Sequence, residues 1–205
     1  MLSVSDDTML PVMEQFYTLQ GEGAYQGQAA YFIRLGGCDV GCVWCDVKES
    51  WDAQKHPRQK PETLVEAVLA TPAKIVVITG GEPLMHSLDR ITTLLHEAGL
   101  RCHLETSGAH PLSGQWDWIC LSPKKFKAPL AACLPMANEL KVVVYHPSDL
   151  HWADQYAAQV STSCKLYLQP EWDRADKVTQ LLVDKIKSDP RWQLSLQVHK
   201  YIHVP

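Results

Sequence analysis

Short apolar runs recur along the chain: AYFIRL (30–35), KIVVIT (74–79), CHLET (102–106), WICLS (118–122), ELKVVV (139–144), KLYLQ (165–169) and LSLQV (194–198). Their length and near-continuous hydrophobicity predict strands buried on both faces, as in a parallel sheet covered by helices. Between several of them the apolar spacing lengthens to that of amphipathic helices. These are PETLVEAVLA from Pro61, with proline in the first turn; SLDRITTLLHEAG from Ser87, a candidate cap, to Gly99; PSDLHWADQYAAQV from Pro147; and RADKVTQLLVDKIKSD from Arg174. The alternation predicts β/α units joined by right-handed crossovers. About six such units fit 205 residues, whereas a complete eightfold barrel takes about 250. The expected fold is α/β, a shortened, open (partial) β/α barrel in one domain over 1–205, with a polar leader over 1–11.

The segments after the strands share a character. Strand 74–79 runs into TGGEP, 102–106 into ETSG, 118–122 into SPKK and 165–169 into QP. One such loop is ordinary turn punctuation. Four at the carboxyl edge of one parallel sheet predict a ligand site, because that edge is where β/α folds place theirs.

Composition narrows the function. Apolar residues make up 46% and charged residues 20%, as in ordinary globular proteins. No run reaches the roughly 18 to 20 apolar residues of a membrane span, and MLSVSDDTML has neither the basic nor the apolar part of a signal peptide. A cytoplasmic protein with no membrane partner is expected. The net charge of −4 offers no basic field for nucleic acid. Seven cysteines, an odd number in a reducing compartment, argue against a disulfide framework. Cys102, Cys120, Cys133 and Cys164 stand singly and read as buried, inert thiols. Cys38, Cys42 and Cys45 stand together as C-x3-C-x2-C and point to metal.

Two metals fit that triplet at this stage. A structural zinc site wants four protein ligands, and His56 is the available fourth. A cubane iron–sulfur cluster is normally held by four thiolates; three would leave one iron open to a small molecule.

The triplet, with Trp44 directly before its last cysteine, resembles the signature of the radical S-adenosylmethionine (SAM) enzymes, and TGGEP (79–83) resembles their second motif. That resemblance implies a [4Fe–4S] cluster on Cys38, Cys42 and Cys45, in a loop after the first strand, whose open iron is chelated by SAM. One electron then yields a 5′-deoxyadenosyl radical that abstracts hydrogen from substrate. Adjacent glycines allow close backbone approach to the ligand, and Glu82 offers a partner for its ammonium.

From about Met13 to Pro205 the chain is similar to the 7-carboxy-7-deazaguanine synthase family, most distinctively in FYTLQGEGAYQGQAAYFIRLGGCDVGCVWCD (16–46) and QVHKYIHVP (197–205). The resemblance implies a carbon–nitrogen lyase of the queuosine and 7-deazapurine pathway. It would contract 6-carboxy-5,6,7,8-tetrahydropterin to 7-carboxy-7-deazaguanine with loss of ammonia, using the cluster, SAM and magnesium, a reductant such as flavodoxin, and a homodimer. By position, Leu19, Gln20, Gly21, Glu22, Thr79 and His199 are expected on the pterin, with Arg34 on its carboxylate, where the guanidinium fork suits the anion. The terminal carboxylate of Pro205 is expected to join them. SAM is expected against Trp44, Asp46, Gly81, Glu82, Ser107, Ser122, Pro123, Lys124, Gln169, Pro170, Glu171 and Trp172. One departure stands out: Val47 occupies the place of a family threonine that helps ligate magnesium, and valine offers no oxygen to a hard cation. The expectation is weak magnesium binding or none. The rival within the superfamily is an activating enzyme for glycyl-radical proteins; the rival from another class is a zinc-binding module acting on RNA.

Overall fold

The computed structural model describes residues 9–205. Most of the expected leader lies outside them, but Leu10 and Pro11, its end, already belong to the first strand.

Among the described residues nine strands form one open sheet. In chain order they are β1 (Leu10–Leu19), β2 (Ala29–Leu35), β3 (Arg58–Gln59), β4 (Ile75–Gly80), β5 (Arg101–Thr106), β6 (Trp118–Leu121), β7 (Glu139–Val144), β8 (Lys165–Pro170) and β9 (Trp192–Leu194). Their spatial order is β3-β1-β2-β4-β5-β6-β7-β8-β9. From β2 to β9 all neighbours are parallel, while β1 runs antiparallel to both β2 and β3. The barrel is therefore partial and open, as the sequence predicts, but it begins with an antiparallel hairpin that the apolar runs do not show.

Helices α1 (Pro61–Leu69), α2 (Asp89–Glu97), α3 (Asp149–Ala157) and α4 (Ala175–Ser188) follow the predicted spans, and a short α5 (Val198–Ile202) ends the chain. Pro61 opens α1 at the position where its missing N–H costs nothing. Leu88, not Ser87, is the cap residue of α2. Gly99, at φ 74°, supplies the left-handed residue that turns the chain from α2 into β5. The crossovers β5→β6 and β6→β7 hold no α-helix.

Period-2 alternation then sorts the side chains. Outward residues such as Ile33, Ile78 and Leu104 pack with Leu64, Val68, Ile91 and Leu95 of α1 and α2. Leu140, Val142 and Leu168 pack with Val178 and Leu182 of α4. Inward residues at the amino ends of the strands make a small apolar floor of Ala30, Phe32, Ile75 and Val77, with Phe16 packed against it. Above that floor the inner face turns polar. The predicted last strand, 194–198, is displaced: β9 is Trp192–Leu194, and by Val198 the chain is already helical. There Gln197 reaches back to Glu22 and the Val198 N–H to the Gly21 carbonyl (both 3.0 Å). Among the described residues no helix is long and apolar enough to cross a membrane.

Candidate active site

A cavity of ≈ 260 Å³ opens at the carboxyl ends of the parallel strands. Its lining comes from the ends of these strands and the loops that leave them, joined by β1 and the segment after β9, so the topology delivers the residues to one place.

The cysteine loop follows β2. Its backbone is held before any metal is considered: the Gly37 N–H donates to the Ser50 carbonyl (2.6 Å) and Cys38 N–H to that of Trp51 (3.1 Å). Val40, Cys42 and Ala109 form a small apolar cluster, with Cys38, Trp44 and Cys45 packed on it. All three cysteines line the cavity. Burial pushes the Cys38 thiol up and that of Cys42 to about 11, so a positively charged group is needed to make them thiolates at neutral pH. The donor set suits a cluster better than a single ion. Thiolates around one tetrahedral zinc lie about 3.8 Å apart. Yet among the described residues the one group of three or more His, Cys, Asp or Glu ligand atoms within 4.8 Å of one another is His96, Cys102 and Asp117, outside this loop. His56, the candidate fourth zinc ligand, instead bonds the Glu49 carbonyl (2.9 Å) and does not line the cavity.

TGGEP follows β4 and seats on the cysteine loop. The Gly81 N–H donates to the Leu35 carbonyl (3.0 Å) and the Glu82 N–H to that of Gly37 (2.8 Å). A Cβ on Gly81 would collide with the Gly37 carbonyl and Cys38, so glycine here permits loop-on-loop packing. Glu82 departs from expectation. It is fully buried and absent from the cavity wall; its carboxylate accepts from Leu84 N (3.0 Å), Thr106 Oγ1, Ser107 N (2.8 Å) and Ser107 Oγ. With its lone pairs engaged there, it holds Thr106 and Ser107 in place at the cavity edge. Pro123 and Pro170 also stay off the wall.

The other expected residues meet there: Leu19, Gln20, Gly21, Glu22, Arg34, Thr79, His199 and Pro205 of the expected pterin set, and Trp44, Asp46, Gly81, Ser107, Ser122, Lys124, Gln169, Glu171 and Trp172 of the expected SAM set, all line the one cavity. Gly21 is needed because a side chain would overlap His199, which packs directly over its backbone. Arg34 Nε donates to Glu14 Oε1 (2.6 Å). Lys124 Nζ donates to Ser122 O and Oγ (2.6 Å each) and stands 5.8 Å over the Trp44 ring. Glu171 Oε2, buried and without a partner, is the kind of acceptor an amino group or hydroxyl of a nucleoside would satisfy. Val47 lines the wall as an apolar side chain, and its carbonyl is taken by Ser50 Oγ (2.7 Å).

Sequence reasoning missed the polar floor between these walls. Lys141 and Glu22 form a buried ion pair, and Gln197 Nε2 holds the other Glu22 oxygen (3.0 Å). Burial alone would raise the Glu22 carboxyl. The Lys141 charge, the hydrogen bonds and the His199 charge outweigh it and hold the group at about 2. Burial likewise opposes the Lys141 charge, but its surroundings, Glu22, Glu105 and Glu139 among them, push its value well up. Glu105 accepts from Gln20 Nε2 (3.0 Å) and Thr79 Oγ1 (3.2 Å), locking two substrate-side residues together. The signal was present in the strands: Glu105 in CHLET, and Glu139 and Lys141 two apart in ELKVVV, share the inward face of otherwise apolar runs.

Residues 32–121 match the Radical SAM superfamily. Over the whole of this chain and 97% of the relative, it is 50% identical to the 7-carboxy-7-deazaguanine synthase of Flavobacterium psychrophilum. Over 95% of this chain and 93% of the relative, it is 52% identical to that of a Synechocystis species. The crystal structure of QueE from Escherichia coli superposes with a TM-score of 0.84 at 34% identity, covering 93% of this chain and 95% of that one. Sequence, strand order and cavity agree, and the chain belongs to the 7-carboxy-7-deazaguanine synthase family, within the radical SAM superfamily.

Proposed function

We propose that this chain forms 7-carboxy-7-deazaguanine from 6-carboxy-5,6,7,8-tetrahydropterin with loss of ammonia, as a carbon–nitrogen lyase serving queuosine and 7-deazapurine synthesis. The observation that carries the reading is one cavity that gathers the cysteine triplet, the unpartnered Glu171 oxygen and the Arg34–Gln20–Thr79 wall. Cys38, Cys42 and Cys45 would hold a [4Fe–4S] cluster, and the Ser107, Ser122–Lys124 and Gln169–Trp172 segments would hold SAM. Bound there, the two supply the hydrogen-abstracting radical chemistry of the superfamily. The rest is done by this chain's own residues. Arg34 keeps its terminal nitrogens for the substrate carboxylate while Glu14 fixes its Nε. Gln20 and Thr79, tied through Glu105, orient the pterin edge. Trp44 and Trp172 supply apolar surface to the cavity wall, and Phe126 packs edge-on against Trp44 from outside it. Magnesium has no side-chain oxygen at Val47, so any ion is held through substrate and water, or none is needed. A flavodoxin-type reductant, a homodimer and the cytoplasm complete the reading; a reducing compartment suits seven free cysteines.

The test is anaerobic reconstitution with iron and sulfide, then incubation with SAM, dithionite and the carboxylated pterin. Appearance of the deazapurine chromophore is the expected result. Deoxyadenosine without it would point to an activating enzyme, and a colourless zinc protein would end the radical reading.

A further inference from the structure

Beneath the floor of the main cavity lies a second, smaller chamber of ≈ 10 Å³, about the space one water molecule requires. Gln20, Glu22, Glu105 and Cys120 belong to the walls of both, so the chamber is the next compartment inward from the substrate side. His103 lines it. The residue is 3% exposed, and its Nε2 is buried with no hydrogen-bond partner. Nothing about the ring is loose: Tyr25 packs edge-on at 4.4 Å and also against Trp118 at 5.0 Å, and both aromatics belong to the same wall. Burial, with Arg101 adding to it, holds the imidazole down to about 4, so it is neutral at physiological pH. A neutral imidazole has one donor and one acceptor nitrogen, and an unpaired ring nitrogen sealed in a protein interior is a costly exception. An empty apolar void would raise no question. A chamber walled by His103, Glu105, Glu139 and Gln20 does.

We propose that this chamber binds one small hydrogen-bonding molecule, of the size of water or ammonia, anchored on His103 Nε2. Its neighbours Gln20 and Glu105 are already joined to each other and, through Glu105, to Thr79. The guest thereby braces the floor on which the pterin rests, and His103 is a positioning residue that never touches substrate. Water is available to the chamber at all times. Ammonia is available only if the proposed reaction runs, so that half of the inference rests on the proposed function; the site itself does not.

The experiment begins with crystals of the reconstituted enzyme grown in sodium salts. One isolated density peak at about 3 Å from His103 Nε2 is expected, and an empty chamber overturns the proposal. His103→Leu should remove the peak and raise the pterin KM about tenfold, with kcat within about twofold, as loss of a braced hydrogen bond predicts. His103→Gln, whose amide reaches the same space, should restore both, and it carries the test should the leucine variant fail to fold. Parent-like KM in a folded His103→Leu protein overturns the positioning role. Ammonium chloride then separates the guests at equal ionic strength against sodium chloride. Inhibition of the parent but not of His103→Leu assigns the chamber to ammonia as well as water; equal behaviour assigns it to water alone. The density peak needs no turnover, so a protein with the peak but no deazapurine product would fail the proposed function and not the site.

Discussion

Replacing Lys141 by methionine would remove one half of the ion pair under the substrate cavity and leave the other half, Glu22, in place. Methionine matches the lysine stem in length and leaves little void. Glu22 would keep its Gln197 hydrogen bond and lose its charge partner. The gap between an ordinary carboxyl, 4.5, and the value of about 2 held here corresponds to about 3 kcal/mol of stability at neutral pH. Breaking a buried pair from one side costs about 3–5 kcal/mol in general. The two agree, and for a chain of this length they predict a fall in Tm of roughly 10 °C. The pH dependence has a definite sign. Because the folded carboxyl titrates below the unfolded one, this stabilisation is present above about 4.5 and is lost as pH falls toward 2. Urea unfolding at pH 7, 5 and 3.5 should therefore show parent and Lys141→Met converging in acid. Glu22→Gln combined with Lys141→Met should recover at least half of the loss, since replacing both members of a buried pair is often neutral. A single variant within ~1 kcal/mol of the parent at pH 7 would refute the reasoning, because that is the worth of an exposed pair.

Other consequences are as direct. Serine at Cys38, Cys42 or Cys45 should abolish bound iron and sulfide and all turnover while leaving the fold, measured by circular dichroism, unchanged. Glu82→Ala strips the acceptor from Thr106 and Ser107 and should cost about 1–3 kcal/mol in unfolding, with SAM affinity reduced in an equilibrium binding assay. Gly21→Ala pushes a methyl into His199 and should raise the pterin KM without altering cluster content. Val47→Thr should tighten the response to magnesium, read as turnover against added magnesium with and without chelator; a parent with a strong, family-like magnesium requirement would refute the reading of Val47.

How much of this was legible varies with the physics of each part. The parallel strands could be read because burial on both faces leaves an apolar run, as in KIVVIT. β1 could not: after Val12 its residues are mostly half-exposed, a bulge lies between Val12 and Glu14, and such a strand has no clean alternation. LSLQV was misplaced for a related reason, since Trp192, at 1% exposure, anchors the true strand while Gln197 turns inward to Glu22. The loops of the site were legible because glycine, proline and cysteine are conspicuous at strand ends. The floor was not, because Glu105 sits alone in CHLET and Glu139 and Lys141 open ELKVVV, where they read as an exposed polar strand end rather than as an inward-facing pair. Glu82 shows the limit of a motif: its letters identified the loop, but only the bonds to Thr106 and Ser107 reveal which way its carboxylate points.

The stitching of the cysteine loop to TGGEP through Gly37 and Glu82 bears on how the protein is assembled in a cell. A socket whose backbone is fixed by peptide hydrogen bonds should take shape without iron. Folding and delivery of iron and sulfide would then be separate events, so that apo-protein stripped of its cluster should accept a new one without unfolding.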